Sequence, residues 1–389
     1  MTTTALSTAR LRRVTLGLAL GLVLGFVLYF FSGQREESAF YRGDFPAFYA
    51  AAEIVWSGQG DRLYDLNLQR EVQNRHWPDF HGDFLIYAYP PFFALLLAPL
   101  AALAPLAAKA LAAGILLGAF TGALLLARRA SPFVRQQFAF VLVYLLSFVP
   151  LLIAIVGVQN TALSLLILAL VYAADQPDRP WLMGFTAALL LFKPQFGVLF
   201  FLFLLARGRT AELLGWALGA LLLYLLGTLI LGPAWPFTWL QAASQFGTLN
   251  FTINGHNMIS LAGLAYWGGE TLWGNGAAIL PWAYLVAGVL LLVSAWYVRG
   301  DDRRRVLAPA LVLLLSPQTL FYDLAIAVFF LLQGLRPGNR QDLLILAGLW
   351  LYGFVALMLR DATSFPLSAP LLLAVLWLHV RRTSLQDST

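Results

Sequence analysis

Long apolar runs separated by short polar breaks give this chain its pattern. After an Arg-rich start, apolar stretches cover residues 14–31, 106–127, 136–157, 161–174, 181–192, 195–206, 211–231, 276–298, 306–320, 324–335, 341–359 and 367–380. A bilayer core of about 30 Å takes roughly 20 helical residues to cross. The pattern therefore predicts an all-α polytopic membrane protein with about 12 transmembrane helices, forming one integral domain over 1–389. Several runs are too short to cross alone. They are expected to meet partway, with turns opening into a cavity. Those turns carry Gln159-Asn160, Lys193-Pro194-Gln195, and Pro317-Gln318-Thr319 with Tyr322-Asp323. Irregular backbone at membrane depth persists only where protein or trapped water satisfies it.

Arginine placement gives the orientation. Arg10, Arg12 and Arg13 put the N-terminus in the cytoplasm under the positive-inside rule, and Arg128, Arg129 and Arg135 mark the next return. The start resembles a signal peptide, but the run is long and no small-residue cleavage site follows, so an uncleaved first span is expected. Residues 32–105 then form a long first outer loop. Within it, Tyr89–Pro105 has four prolines among about a dozen apolar residues, as suits a helix on the membrane surface and not a span. A second long outer segment covers about 232–275. Both termini are cytoplasmic in this topology, with seventeen arginines on cytoplasmic segments and six outside. All three polar turns face the outer side, where the first loop also lies.

Composition narrows the class. The chain is 60% hydrophobic and 11% charged, against about 25% charged in soluble domains. The net charge of +6 comes from span-flanking arginines and calls for no nucleic acid. With no cysteine, disulfide and thiolate chemistry are excluded. No glycine-rich nucleotide loop and no metal-ligand spacing is visible. The expectation is a metal-independent protein without a cofactor, a monomer in the plasma membrane.

Asp44, just beyond the first span in Gly43–Asp65, can act as a general base on an acceptor hydroxyl or cap the helix that begins at Phe45-Pro46. Lys193 is a costly charge at membrane depth. It can hold a phosphate as a point charge or snorkel to the interface, which is the reading favoured for Lys109. Asp323 can pair with Lys193, assist an acceptor or cap its helix. His256 and Asn257 lie in the second outer segment, either solvated or binding phosphate or sugar. Tyr87, Tyr89, Trp235, Trp239, Tyr266, Trp267 and Trp273 fit an interfacial belt, some of them able to stack on sugar.

The pieces GDFPAFYAAA, GDRLYD, AYPPFFALLLAPLA, GVQNTALSLLILAL, LLLFKPQ, HNMISLAGL and LLLSPQTLFYDL, spread in order over about 43–324, resemble glycosyltransferase family 87 of the GT-C superfamily. The resemblance implies a fold of about twelve spans and transfer of a sugar, typically mannose, from a polyprenyl-phosphate donor to a glycolipid or glycan acceptor. It implies Asp44 as the catalytic aspartate of the first outer loop and Lys193 as the donor-phosphate residue. His256, Asn257, Asp323, Tyr322, Gln159, Asn160 and Tyr89 are the further substrate-binding candidates. A polyprenyl-phosphate pentose or glucose donor stays open, as does a lipid or sugar transporter with short helices meeting at midplane. Against the transporter stand the missing internal repeat and the one-sided gathering of ionisable groups.

Overall fold

A computed structural model describes residues 12–13, 15–25, 27, 43–78, 84–298, 308–335, 340–363 and 368–374. Among them the architecture is all-helical, with a single isolated β-bridge between Met258 and Leu320. After α1 (Thr15–Gly25), the segment expected to form the first outer loop folds into α2 (Phe45–Trp56), α3 (Leu66–His76) and α4 (Pro91–Leu97). The body follows as α5 (Pro105–Ala130), α6 (Pro132–Gln136), α7 (Phe138–Leu146), α8 (Val149–Val156), α9 (Thr161–Ala174), α10 (Pro180–Ala188), α11 (Pro194–Arg207) and α12 (Thr210–Leu231). Next come α13 (Trp235–Asn254), α14 (Leu261–Trp273), α15 (Leu280–Val298), α16 (Ala308–Leu315), α17 (Leu324–Gln333) and α18 (Arg340–Thr363). Proline sits in the first turn of α2, α4, α5, α10, α11 and α13. The N–H it lacks has no partner at that position in any helix.

Three described helices are long and apolar enough to cross a membrane, Pro105–Ala130, Thr210–Leu231 and Ala277–Trp296. The run 136–157 departs from the single span expected. It breaks at Ser147-Phe148 into α7 and α8, bent by 64°, with Pro150 in the first turn of α8. The runs 161–174, 181–192, 195–206 and 324–335 appear as short apolar helices, as their lengths predict. Pro91–Ala102, at the place expected for a surface helix, is too short to cross. The basic cluster at 299–305 and the C-terminal part of the run 367–380 lie outside the described residues.

α5 packs along α9, α9 against α10, and α10 against α12. The last pair meets backbone to backbone. A Cβ on Gly184 would lie 1.8 Å from the Glu212 carbonyl oxygen, and one on Gly215 would lie 1.9 Å from that of Trp181. Small residues permit this approach, and dispersion then supplies attraction that lipid cannot. Lys109 is buried at 7% exposure in the first turns of α5, where its side chain packs against protein.

The segment that carries α2 to α4 has its own packing. Phe45, Phe48, Tyr49, Trp77, Tyr87 and Phe93 are buried and meet edge-on, as at Phe48–Phe93 and Tyr49–Trp77. Gln69 and Gln73, one turn apart on α3, hold the extended segment 84–90 as a neighbouring strand would. Gln73 accepts from Leu85 N–H at 2.9 Å and donates to its carbonyl at 2.7 Å. Gln69 does the same for Tyr87, at 2.8 and 3.3 Å. Both amides are buried and satisfied, so the segment keeps its register and sets Tyr89 near Asp44.

Candidate active site

Tyr89 opens onto a cavity of about 270 Å³ that is lined also by Asp44, Lys193, Tyr322 and Asp323. Its walls come from the segment that carries α2 to α4, the 193–195 and 318–323 turns, and α13. The convergence of polar turns expected from their common side is thus a feature of the fold.

Asp44 is set by backbone contact before any side chain acts. Its N–H donates to the Gly157 carbonyl at 3.1 Å. Gly43 has φ +109°, and a Cβ there would come within 2.1 Å of the Gly157 oxygen, so only glycine fits. The next turn brings a second unusual conformation. Val158 holds φ +53°, costly for a β-branched residue, and this turn carries Gln159 and Asn160. Asp44 precedes α2, yet its side chain makes no capping hydrogen bond to that helix. Gln159 and Tyr89 stand beside the carboxylate instead. Burial pushes its pKa above the usual carboxylate range, while the polar Gln159 side chain and the Lys193 charge pull it back. What accessibility the residue keeps faces the cavity. The Tyr89 hydroxyl, driven well above its ordinary pKa by burial and by the Asp44 charge, stays protonated and available as a donor.

Lys193 ends a 3-10 turn, and its own carbonyl accepts from Phe196 N–H at 2.8 Å, starting α11. Its ammonium lies 3.0 Å from Asp323 Oδ1, with both side chains at 4% exposure. It also stands over the Phe196 and Tyr322 rings at 5.0 and 5.9 Å. Asp323 accepts from the Thr161 hydroxyl at 2.8 Å and from Leu320 N–H at 3.4 Å. It therefore pairs with Lys193 and braces its own turn at the same time. One hydrogen bond to Asp323 leaves the ammonium two further donors.

Gln159 and Asn160 lie directly behind the cavity wall, at 5% and 2% exposure. Gln159 Oε1 and both amide atoms of Asn160 have no hydrogen-bond partner. Asn160 faces the Tyr89 hydroxyl without reaching hydrogen-bond geometry. His256 and Asn257 sit on the 3-10 turn Gly255–Asn257 after α13, and Asn257 is not among the described residues that line the cavity. The His256 side chain lies outside the described residues. Gln195 and Gln318 stand on turns expected to open into a cavity and Trp239 is among the aromatics expected to stack on sugar, whereas Asn250 and Asn254 were not expected as site residues; all five line the cavity. For three of them the signal was present: Trp239, Asn250 and Asn254 share one helical face with Ala243 and Phe246.

The fold and site define a helical membrane protein with a polar cavity built from the segment that carries α2 to α4, the breaks between its short helices, and α13. The family model for glycosyltransferase family 87 matches residues 87–317, more than half of the chain, and the chain belongs to that family. It is a membrane glycosyltransferase. The matched stretch holds Tyr89, Gln159, Asn160, Lys193, His256 and Asn257, while Asp44, Tyr322 and Asp323 flank it. No curated protein and no solved structure matches the chain.

Proposed function

We propose that the protein transfers a sugar, mannose in the first instance, from a polyprenyl-phosphate donor to a hydroxyl of a glycolipid or glycan acceptor. The observation that carries this is Asp44. Its carboxylate makes no capping bond to its helix, stands beside Gln159 and Tyr89, and lines a cavity shared with Lys193 and Asp323. In this reading Asp44 takes the proton from the acceptor hydroxyl as that oxygen attacks the anomeric carbon. The carbon–oxygen bond to the phosphate breaks on the opposite face, inverting the centre in one displacement. Lys193 meets the charge left on the departing phosphate, and Asp323 holds the ammonium in place. Tyr322 and Tyr89 border the reacting groups, with Gln159 and Asn160 behind them. His256 and Asn257, on the turn that follows α13, are the further substrate-binding residues in this reading.

The reaction runs without a bound metal, on the extracytoplasmic face of the plasma membrane. The chain crosses about twelve times as a single monomeric domain, with both termini in the cytoplasm. The apolar tail of a lipid-linked donor stays in the bilayer, so no nucleotide site is required.

The test supplies purified protein in lipid nanodiscs with polyprenyl-phosphate mannose and a mixed glycolipid acceptor pool, comparing wild type with Asp44→Asn. Mannosylated product from wild type alone is the expected outcome. Equal product from both removes Asp44 as the base. Product only from a polyprenyl-phosphate pentose or glucose replaces mannose as the donor sugar.

A further inference from the structure

The same cavity carries a connected row of side-chain amides. Asn254 Nδ2 donates to Asn250 Oδ1 at 2.7 Å, and Asn250 Nδ2 to Gln318 Oε1 at 3.2 Å. Gln318 Nε2 in turn donates to the Gly247 carbonyl at 3.3 Å. Gln195 Nε2 donates to the Gln318 backbone carbonyl at 3.4 Å, tying this row to the Lys193 turn. A Cβ on Gly247 would stand 3.3 Å from Gln318 Nε2, so the glycine leaves the amide room. All four amide side chains line the cavity.

The one-way relay uses one N–H of each amide and fixes which atom of each points where. Each amide keeps a second N–H, and Asn254, at the open end, keeps an oxygen that the relay does not use. Trp239 lines the same cavity. Its indole N–H, the ring's sole polar group, is committed to the Ala88 carbonyl at 3.0 Å. What it offers a ligand is therefore an apolar ring. None of these five side chains is charged. Fixed neutral donors and acceptors beside an aromatic ring match a polyhydroxylated ring with no charge of its own: the amides pair with hydroxyls, and the indole covers the C–H face.

We propose that this amide shelf, Gln195, Asn250, Asn254 and Gln318 with Trp239, is a subsite for an uncharged sugar ring. Donor and acceptor both carry such rings. The reading rests on the proposed transfer only for which of the two substrates supplies it.

The first measurement needs no turnover. Saturation-transfer NMR on wild type in lipid nanodiscs uses methyl α-mannopyranoside and methyl arabinofuranoside, which have neither phosphate nor lipid. Saturation of their ring protons by wild type, reduced severalfold in Asn254→Ala, is expected. Asn254 stands at the open end of the relay, and an unchanged melting temperature shows that the variant is folded. Equal signals from wild type and variant overturn the shelf. So does a signal from methyl glucuronide, an anionic ring, as strong as that from the neutral glycosides.

Kinetics then identify the source. A rise in KM of roughly three- to tenfold, the worth of one net hydrogen bond, is expected for one substrate in Asn254→Ala. If it falls on polyprenyl-phosphate mannose, the shelf holds the donor sugar; if it falls on the glycolipid, it holds the acceptor. Unchanged KM for both overturns the proposal. Glycoside binding by a wild type that transfers nothing from any polyprenyl-phosphate sugar sinks the proposed function and supports the shelf.

Discussion

Two groups of buried charges sit at opposite ends of α11, about 20 Å apart at 1.5 Å per residue. At the start of the helix Lys193 faces Asp323 and Asp44 beside an open cavity. At its end Arg207, 3% exposed, lies 3.2 Å from Glu212 and 3.5 Å from Asp175, and Arg209 reaches the same two carboxylates at 3.2 and 4.0 Å. There two arginines balance two carboxylates, in the region where the glycines of α10 and α12 bring the backbones together. At the cavity one lysine serves two carboxylates, and space remains. The difference separates structural charge from chemical charge. A balanced group, with Arg207 and both carboxylates buried and Arg209 half-exposed, secures helix ends. An unbalanced group on a cavity keeps a carboxylate at a raised pKa, next to room for a substrate.

The comparison is most directly broken at Asp44. Asp44→Asn is expected to lower the transfer rate by about 10²- to 10⁴-fold, the usual worth of a general base, measured as initial rate on matched protein. Stability moves the other way. With a raised folded-state pKa, this carboxyl's contribution to stability falls as pH rises from the ordinary aspartate value to the raised one. Asp44→Asn should therefore melt no lower than wild type at neutral pH. A clearly lower melting temperature would make Asp44 structural.

Next in size is the far cluster. Arg207→Met leaves Glu212 and Asp175 short of a cation and is expected to cost about 3–5 kcal/mol of stability, read by thermal or denaturant unfolding. KM values of the folded fraction should not change. At the cavity end, Lys193→Met should cost less, about 1–3 kcal/mol, since Asp323 keeps Thr161 and the Leu320 N–H. Its main effect should be a donor KM raised roughly tenfold or more. The opposite ordering of these two stabilities would end the distinction between the ends.

The smallest effect sharpens the picture at the base itself. As a base Asp44 must be ionised, so activity should fall as pH drops through its raised pKa, giving an acid limb above the ordinary aspartate value of about 3.9. Removing the Gln159 amide beside it, which favours the charged form, should move that limb to higher pH in Gln159→Leu. A limb that stays in place in this variant would detach Gln159 from the base.

Much of this molecule was legible in the residues alone. The apolar runs gave a helical membrane protein because burial in lipid leaves helices as the economical backbone solution for long apolar segments. The short runs implied breaks, and Lys193 and Asp323 stood out because ionisable groups are rare at such depth. Their pairing was one of three readings open for Asp323. The bend at Ser147-Phe148 was not expected, since an apolar run reads the same whether straight or broken. The segment 232–275, read as a loop, contains the helices α13 and α14.

Local pattern thus determined the class of protein, the membrane character and the turns that hold the polar residues, because each depends on neighbours in the chain. Only the tertiary structure decided that Gly43 meets Gly157 and so sets Asp44, that Thr161 and Lys193 share Asp323, and that α13 lays an amide wall along the cavity. Each of those contacts joins residues far apart in sequence. Each depends on distances of 3–4 Å that only the packed helices define.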